Sequence, residues 1–513
     1  MSRSMLSLRV DWRASCSLVG TVVKWLAVAM VFPLALAVFY GEGVTTFVAS
    51  MALAVAVGWS LEQLDDDPDL GAREGFLMVA LTWLAVSIVG AAPYVIAGEG
   101  TVAHPVNALF ETMSGFTTTG ATVMKNIGFE DHSRALMMWR QQTQWLGGMG
   151  IVVLAVAILP ELSVGGAQLM DAEAPGPGIQ KLTPRIAETA RALWKAYLGI
   201  TALEMTLLFG LHLVGLAPNM TLYQAVAHGF TTMATGGFSP AARSIEAFSA
   251  AVQWLIVPFM VAAGTNFALF WHALNGEPEV FGEDNEFRFY VGVLGVFSGL
   301  VALLLFLGGT AESAVVGPIA GNLEKAARHA VFQVVSLVTT TGYASMDFNT
   351  WGAPAQYVLF VTLFIGGSAG STGGAIKIVR WLVILKSLKR ELFTTVHPEA
   401  VRPVRLGGRS LDERAVRGIY AFTLLYLVIF FVAALLVYLD AARTGMDLVA
   451  LDAMSAVAAT LGNVGPGFGM IGPMNNYLPF PASSKLFMVF LMWIGRLEIL
   501  PVLVLLTPAY WQS

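Results

Sequence analysis

The sequence predicts an all-α polytopic membrane protein. Four helix–pore-loop–helix repeats surround one pseudo-fourfold pore, and two extra transmembrane helices precede them. Three observations carry this expectation: an apolar composition, charge-free runs along the whole chain, and four Thr/Gly-rich loops at near-constant spacing. Of 513 residues, 56% are hydrophobic and only 12% charged, about half the charged share of an ordinary soluble domain. Charge-free runs near the length of a bilayer crossing cover residues 25–41, 43–61, 75–98, 141–160, 247–276, 289–311, 355–376 and 418–439. A net charge of -5 without a sustained basic run excludes nucleic acid as a partner. A single cysteine, Cys16, excludes an intrachain disulfide and a multi-cysteine metal site.

The first apolar run exceeds a signal-peptide core in length and further spans follow it directly, so it is retained. Arg3, Arg9, Arg13 and Lys24 lie before or at its start, which places the N-terminus in the cytoplasm. The segment 377–417 carries Lys377, Arg380, Lys386, Lys389, Arg390, Arg402, Arg405, Arg409, Arg414 and Arg417. It is expected to be largely cytoplasmic by the same rule. The acidic loop 277–286 says little about orientation, because carboxylates hardly affect topology.

Four times a long apolar run is followed by a short half-polar helix, a Thr/Gly-rich loop and a second long run. The loops read Thr117-Thr118-Thr119-Gly120-Ala121-Thr122, Ala234-Thr235-Gly236-Gly237-Phe238-Ser239, Thr339-Thr340-Thr341-Gly342-Tyr343-Ala344 and Leu461-Gly462-Asn463-Val464-Gly465-Pro466-Gly467. Successive steps from Gly120 to Gly237, Gly342 and Gly465 are 117, 105 and 123 residues. Thr221, Asn322 and Asp447 suit the N-caps of three short helices, and Pro105 suits the first turn of another. These helices are too short to span, so each enters and stops at mid-membrane with its negative carbonyl end at the centre, where a cation is favoured. Non-helical backbone at that depth has to line a cavity, so four such loops imply one shared pore.

A dehydrated potassium ion needs rings of carbonyl oxygens, and glycine supplies the dihedrals that turn them inward. Thr341-Gly342-Tyr343 is close to a potassium-channel filter triplet, with Thr340 and Thr341 offering hydroxyl oxygens. The competing reading of one glycine-rich loop is close helix packing. Four in register with repeated spans favour the filter.

The motifs Phe116-Thr117-Thr118-Thr119-Gly120-Ala121-Thr122, Gln144-Trp145-Leu146-Gly147-Gly148-Met149-Gly150, Thr339-Thr340-Thr341-Gly342-Tyr343 and Gly495-Arg496-Leu497-Glu498, with the stretch 366–374, resemble the membrane subunit of bacterial Trk potassium uptake systems, a family related to Ktr and HKT transporters. The resemblance runs from about residue 20 to the C-terminus. It implies ten full spans and four pore helices, with units at 1–74 (two-helix extension), 75–165, 166–280, 281–405 (carrying an intramembrane gating loop) and 406–513. It also implies channel-like potassium uptake across the bacterial inner membrane by a homodimer. A cytosolic TrkA/KtrA-like nucleotide-binding subunit is the implied regulator, and the basic segment 377–417 offers it a charged surface. This chain has no dinucleotide-binding fingerprint and no cofactor of its own is implied; potassium is the transported ligand.

The filter residues expected on this basis are Thr118, Thr119, Gly120, Thr235, Gly236, Gly237, Thr340, Thr341, Gly342, Asn463, Val464 and Gly465. The register of the fourth loop has two candidates. Thr460-Leu461-Gly462 imitates the pattern, while Asn463-Val464-Gly465 matches the Val-Gly core of a filter and is adopted. The gating residues implied are Gly366, Gly367, Ser368, Gly370, Gly373, Gly374 and Arg496. Segment 366–374 has five glycines and cannot stay helical cheaply, at about 1 kcal/mol per glycine relative to alanine. It is either an obstruction below the filter or a packing kink, and it lacks the Gly-Lys-Ser/Thr ending of a phosphate-binding loop.

Arg496 follows ten uncharged residues, and its charge is permanent. Glu498, two residues on, cannot face it on a helix. Arg496 either lies beside the pore, holding the gating segment by its carbonyls, or snorkels to the surface. Glu111, Asp447 and Asp452 either focus cations at the outer mouth or serve as caps and solvated groups. Glu204, within an apolar run, has a structural or a proton-coupling reading.

Two other classes compete with the channel-like reading. A secondary transporter with alternating access would use Glu204 or His228 for proton coupling, but parallel fourfold repeats differ from the inverted halves common there. An intramembrane enzyme would need clustered catalytic groups, and the seven histidines are scattered without a His-Glu-x-x-His pattern.

Overall fold

The computed structural model describes residues 10–65, 71–157, 186–308 and 316–512. Arg3, Arg9, the repeat boundary at 165 and the span ends at 160 and 311 lie outside the described residues. The N-terminal pair is α1 (Trp12–Ala29) running into α2 (Val31–Tyr40), and α3 (Val44–Glu62). Their crossing is glycine-dependent: a Cβ added at Gly20 would stand 2.5 Å from the Gly58 carbonyl oxygen, and one at Gly58 2.6 Å from that of Gly20. Such small-residue contacts replace the hydrophobic drive that lipid does not supply. At the end of this pair Lys24 is ion-paired with Glu62.

The four repeats follow in order. The first comprises α4 (Ala72–Gly90), α5 (Ala92–Ala97), the pore helix α6 (Pro105–Phe116) and α7 (Arg134–Ala157). The second has α8 (Ile186–Leu213), the pore helix α9 (Leu222–Met233), and α10 (Ala250–Ala263) with α11 (Phe267–Leu274). The third has α12 (Asn285–Phe306), the pore helix α13 (Leu323–Val338), then α14 (Ala353–Thr362) and α15 (Ile378–Val396). A small antiparallel hairpin, β1 (Arg405–Leu406) and β2 (Arg409–Ser410), leads to the fourth: α16 (Glu413–Arg443), the pore helix α17 (Ala450–Leu461), and α18 (Ala482–Arg496) with α19 (Leu500–Leu505) and α20 (Pro508–Gln512).

Among the described residues, six helices are long and apolar enough to cross a membrane: Trp12–Tyr40, Val44–Glu62, Arg73–Ala97, Ala190–Leu213, Asn285–Phe306 and Glu413–Arg443. They are the N-terminal pair and the first helix of each repeat, and the chain is a polytopic helical membrane protein. Their outer faces stay apolar and exposed, as on α16 at Leu424, Phe431, Leu435 and Leu439, which suits contact with lipid. The pore helices are enclosed instead. From Asn107 to Phe116 all residues of α6 but Leu109 are buried, so its polar residues meet protein rather than lipid.

The second helices depart from the sequence expectation. Only the third was expected to break, yet the apolar run 247–276 bends by 96° between α10 and α11. Gly264 ends α10, and the Asn266 side chain accepts from the Ala268 amide at 3.0 Å to start α11. The fourth also breaks after Arg496, where Glu498 and Ile499 adopt positive φ. Only α7 runs on as a helix past the corresponding level.

Three of the four expected helix starts hold. Thr221 accepts from the Gln224 amide at 3.4 Å and Asn322 from the Lys325 amide at 3.0 Å, while Pro105 occupies N1 behind a His104 cap. Asp447 is a correction. It is exposed and lies two residues before the Val449 cap position, so α17 starts without a side-chain cap.

Candidate functional site: the four-loop ring

Each pore helix ends in the same turn. The amides of Thr119, Gly236, Thr341 and Val464 donate to the carbonyls of Ser114, Thr231, Ser336 and Ala459 at 2.8 to 2.9 Å. The amides of Thr118, Thr235, Thr340 and Asn463 donate to Gly115, Thr232, Leu337 and Thr460 at 2.9 to 3.3 Å. These last four donors have φ of 53°, 52°, 59° and 54°, and two residues later Gly120, Gly237, Gly342 and Gly465 have φ of 80°, 74°, 79° and 99°. The repeated pattern aligns Asn463 and Gly465 with the other loops and leaves Thr460 inside α17. Threonine at positive φ is a strained choice for a β-branched residue, and it recurs in three loops.

The four loops close on one another. A Cβ added at Gly120 would meet the carbonyl oxygen of Gly236, one at Gly237 that of Thr341, one at Gly342 that of Val464, and one at Gly465 that of Thr119. Each glycine therefore abuts the residue just before the equivalent glycine of the next loop, and the fourth returns to the first. No side chain fits at these four positions without moving a neighbouring carbonyl. All four pore helices point their C-terminal, partially negative ends at this ring.

Side chains brace the ring from behind. Thr117 and Thr119 share a hydroxyl hydrogen bond of 2.7 Å, as do Thr339 and Thr341. The Asn463 Nδ2 donates to Thr119 Oγ1 at 2.9 Å and to the Met492 carbonyl at 3.0 Å. Gln144 of α7 donates to the Gly236 carbonyl at 2.6 Å and accepts from the Phe238 amide at 3.0 Å. Tyr343 reaches Thr231 Oγ1 of α9 at 2.5 Å, and Tyr477 donates to the Gly465 carbonyl at 2.7 Å. Gln144 opens the motif 144–150, but its role depends on contacts with the second loop that only the fold reveals.

Glu111 is not a mouth charge. It is fully buried, accepts from Thr122 Oγ1 at 2.8 Å and from the Val123 amide at 2.9 Å, and pairs with Arg140 at 2.7 Å. Arg140 also donates to the Ser239 carbonyl and stacks on Phe238, 3.5 Å from the ring centroid. A neutralised pair tying loop one to loop two takes the place of both readings offered for Glu111, a cation-focusing charge at the mouth and a cap or solvated group. Asp452 sits in the first turn of α17, largely buried beneath Gly469.

Directly under the ring lies segment 366–374, which is non-helical. The Gly374 amide donates to Thr340 Oγ1 at 2.7 Å, and the Ala375 amide to the Gly462 carbonyl at 2.9 Å. Ser368 donates its amide to Gly264 at 2.8 Å, and Thr372 Oγ1 contacts the Met233 and Ala263 carbonyls at 3.2 and 3.1 Å. The segment therefore spans the ends of α9 and α17 and docks in the break between α10 and α11. Gly367 packs 2.8 Å (to an added Cβ) from the Gly264 carbonyl, and Gly370 has φ of 69°. Gly366 and Gly373 belong to the same crossing, with Gly366 bonded to Ile376 at 2.8 Å.

Arg496 is buried and does not reach the membrane surface. Its guanidinium donates to the Thr372 carbonyl at 2.7 Å and to the Gly147 carbonyl of α7 at 3.4 Å. Glu498 turns away and pairs with Arg380 at 2.6 Å. Lys377, in sequence only one of the charges of the basic segment, donates to the Gly373 carbonyl at 2.5 Å.

Glu204 is fully buried on α8 and faces Thr232 at the end of α9. His228 is engaged on both sides, Nδ1 with the Gln224 carbonyl at 2.7 Å and Nε2 with Ser239 Oγ at 3.0 Å. A carbonyl only accepts, so Nδ1 carries the proton and Nε2 accepts from the serine. His228 is thereby a strut between α9 and the second loop.

A family model described as a cation transport protein, TrkH, matches residues 43–513. The Trk system potassium uptake protein TrkH of Escherichia coli (strain K12) is 36% identical over 98% of this chain and 100% of its own length. TrkI of Halomonas elongata, also a Trk system potassium uptake protein, is 34% identical over 96% of each chain. The crystal structure of the potassium transporter TrkH from Vibrio parahaemolyticus superposes with a TM-score of 0.83 at 34% identity, covering 98% of this chain and all of that one.

Proposed function

This chain belongs to the TrkH family of cation transport proteins, and we propose that it takes up potassium by a channel-like route through the four-loop ring. The observation that carries the reading is the closed cycle of contacts Gly120 to Gly236, Gly237 to Thr341, Gly342 to Val464 and Gly465 to Thr119. In each loop φ is positive two residues before the glycine and again at it, a geometry that turns successive carbonyls to one side, where they replace a potassium ion's hydration shell. The filter residues are then Thr118, Thr119 and Gly120; Thr235, Gly236 and Gly237; Thr340, Thr341 and Gly342; and Asn463, Val464 and Gly465.

Segment 366–374 is the barrier in this reading, with Gly366, Gly367, Ser368, Gly370, Gly373 and Gly374 forming it. Arg496 adds a fixed positive charge below the ring and holds the segment by a carbonyl, which raises the barrier to cations. The units 1–74, 75–165, 166–280, 281–405 and 406–513 correspond to the N-terminal pair and the four repeats. We assign the protein to the bacterial inner membrane with its N-terminus inside, as a homodimer controlled by a TrkA/KtrA-like nucleotide-binding subunit. Potassium flux into proteoliposomes, measured with and without candidate cytosolic subunits, tests the reading. Potassium uptake against its electrochemical gradient, driven by an imposed proton or sodium gradient, would contradict it.

A further inference from the structure

Three charged side chains hold the backbone of segment 366–374. Arg496 and Lys377 grip carbonyls, at Thr372 and Gly373. Glu286 does the opposite: its Oε1 accepts from the Ala369 amide at 2.7 Å, and the residue is 4% exposed. Ala369 has a second contact of its own. Its methyl packs into a small apolar cluster with Val379, Leu382, Leu406 and Val416, none of them a loop residue.

Glu286 comes from a different part of the chain than the two cations. It stands in the first turn of α12, immediately after the connection 275–284, whose Glu277, Glu279 and Glu283 are exposed. Asp284 caps that turn by accepting from the Phe287 amide at 2.5 Å, so the carboxylate is held on a short rigid arm. A charge-assisted bond to an amide in a buried site is stronger than a neutral one and is costly to leave unmade.

We infer that Glu286 is a latch: its bond to the Ala369 amide is a main contact holding the segment in its pore-crossing position, and breaking it shifts the segment toward release. Glu286 is a positioning residue, acting on ions only through the segment. The inference rests on the reading of segment 366–374 as the barrier.

The test compares potassium flux through full-length Glu286→Ala, Glu286→Gln, and a chain shortened within 368–372, all in proteoliposomes without any cytosolic subunit. Glutamine keeps an oxygen that accepts the Ala369 amide; alanine does not. Glu286→Ala is expected to raise basal flux about tenfold, the population change that follows from losing one charge-assisted hydrogen bond. Glu286→Gln should recover most of the closed behaviour, and potassium-over-sodium preference should be unchanged in both, since the ring is untouched. Unchanged melting of each variant in detergent establishes that it is folded before its flux is compared. If the shortened chain gains flux and Glu286→Ala does not, or if Gln and Ala act equally, the latch is overturned. If the shortened chain also gains nothing, the barrier reading fails, and the latch with it.

Discussion

A Cβ added at Gly465 would stand 2.5 Å from the carbonyl oxygen of Thr119, so the fourth loop closes directly onto the first. Gly465 also has φ of 99°, and its own carbonyl accepts from Tyr477 at 2.7 Å. Gly465→Ala should therefore weaken potassium selectivity rather than merely slow flux, because the methyl displaces the Thr119 carbonyl. Relative permeability to potassium and sodium in bilayers is the measurement. A ratio equal to that of the unaltered protein would mean that Thr119 is not an ion ligand.

Shortening segment 366–374 should raise basal potassium flux. The segment and the adjoining Ala375 are tied to Thr340, Gly462, Gly264 and Ala263, and a shorter chain cannot reach all four. Rubidium uptake by correctly inserted protein checks this. Reduced or unchanged uptake would favour a packing kink.

Arg496→Gln should also raise flux. Glutamine retains a donor for the Thr372 carbonyl but removes the charge and cannot bridge to Gly147 as well. Conductance at low and high potassium separates the two effects: loss of an electrostatic barrier shows most at low ionic strength, where screening is weak.

Removing Arg140 should destabilise the fold more than removing the pair. Glu111 and Arg140 are 0% and 2% exposed at the side chain, and a buried carboxylate left alone costs about 3 to 5 kcal/mol. Arg140→Leu is expected to lower the unfolding temperature in detergent strongly. Glu111→Gln with Arg140→Leu should recover much of the loss. Equal melting of the single and double variants would show that the pair is not coupled.

Much of this was legible in the sequence because it is repeated. Four Thr/Gly loops at similar steps announce four equivalent turns, and the prohibition on lipid-exposed irregular backbone gathers them around one axis. The fourth loop's register was ambiguous because Thr460-Leu461-Gly462 has the right residue types. Position in a helix, visible only in the backbone, removes it. That Arg496 does not face Glu498 follows from their two-residue spacing, and Glu498 pairs with Arg380 instead; whether Arg496 turns inward or to the surface is decided only by its contacts with Thr372 and Gly147. What was not legible depends on contacts across the fold. Arg140 lies 29 residues from Glu111 on another helix, so no local pattern reveals that the carboxylate is neutralised. The bend between α10 and α11 hides in a uniformly apolar run, where Gly264-Thr265-Asn266 was the one available signal, a helix stop followed by a cap.

The central claim is that the glycine ring selects potassium, and single-channel recording of the purified protein and of Gly120→Ser under bi-ionic potassium and sodium conditions tests it most directly. Gly120 has φ of 80° and abuts the Gly236 carbonyl, so a serine there disturbs one layer of oxygens while leaving the rest of the protein intact. The expected result is steady potassium conductance in the unaltered protein and a raised relative sodium permeability in Gly120→Ser. An unchanged permeability ratio in well-folded Gly120→Ser, or the absence of any steady conductance both in the unaltered protein and in a chain shortened within 366–374, would contradict the claim.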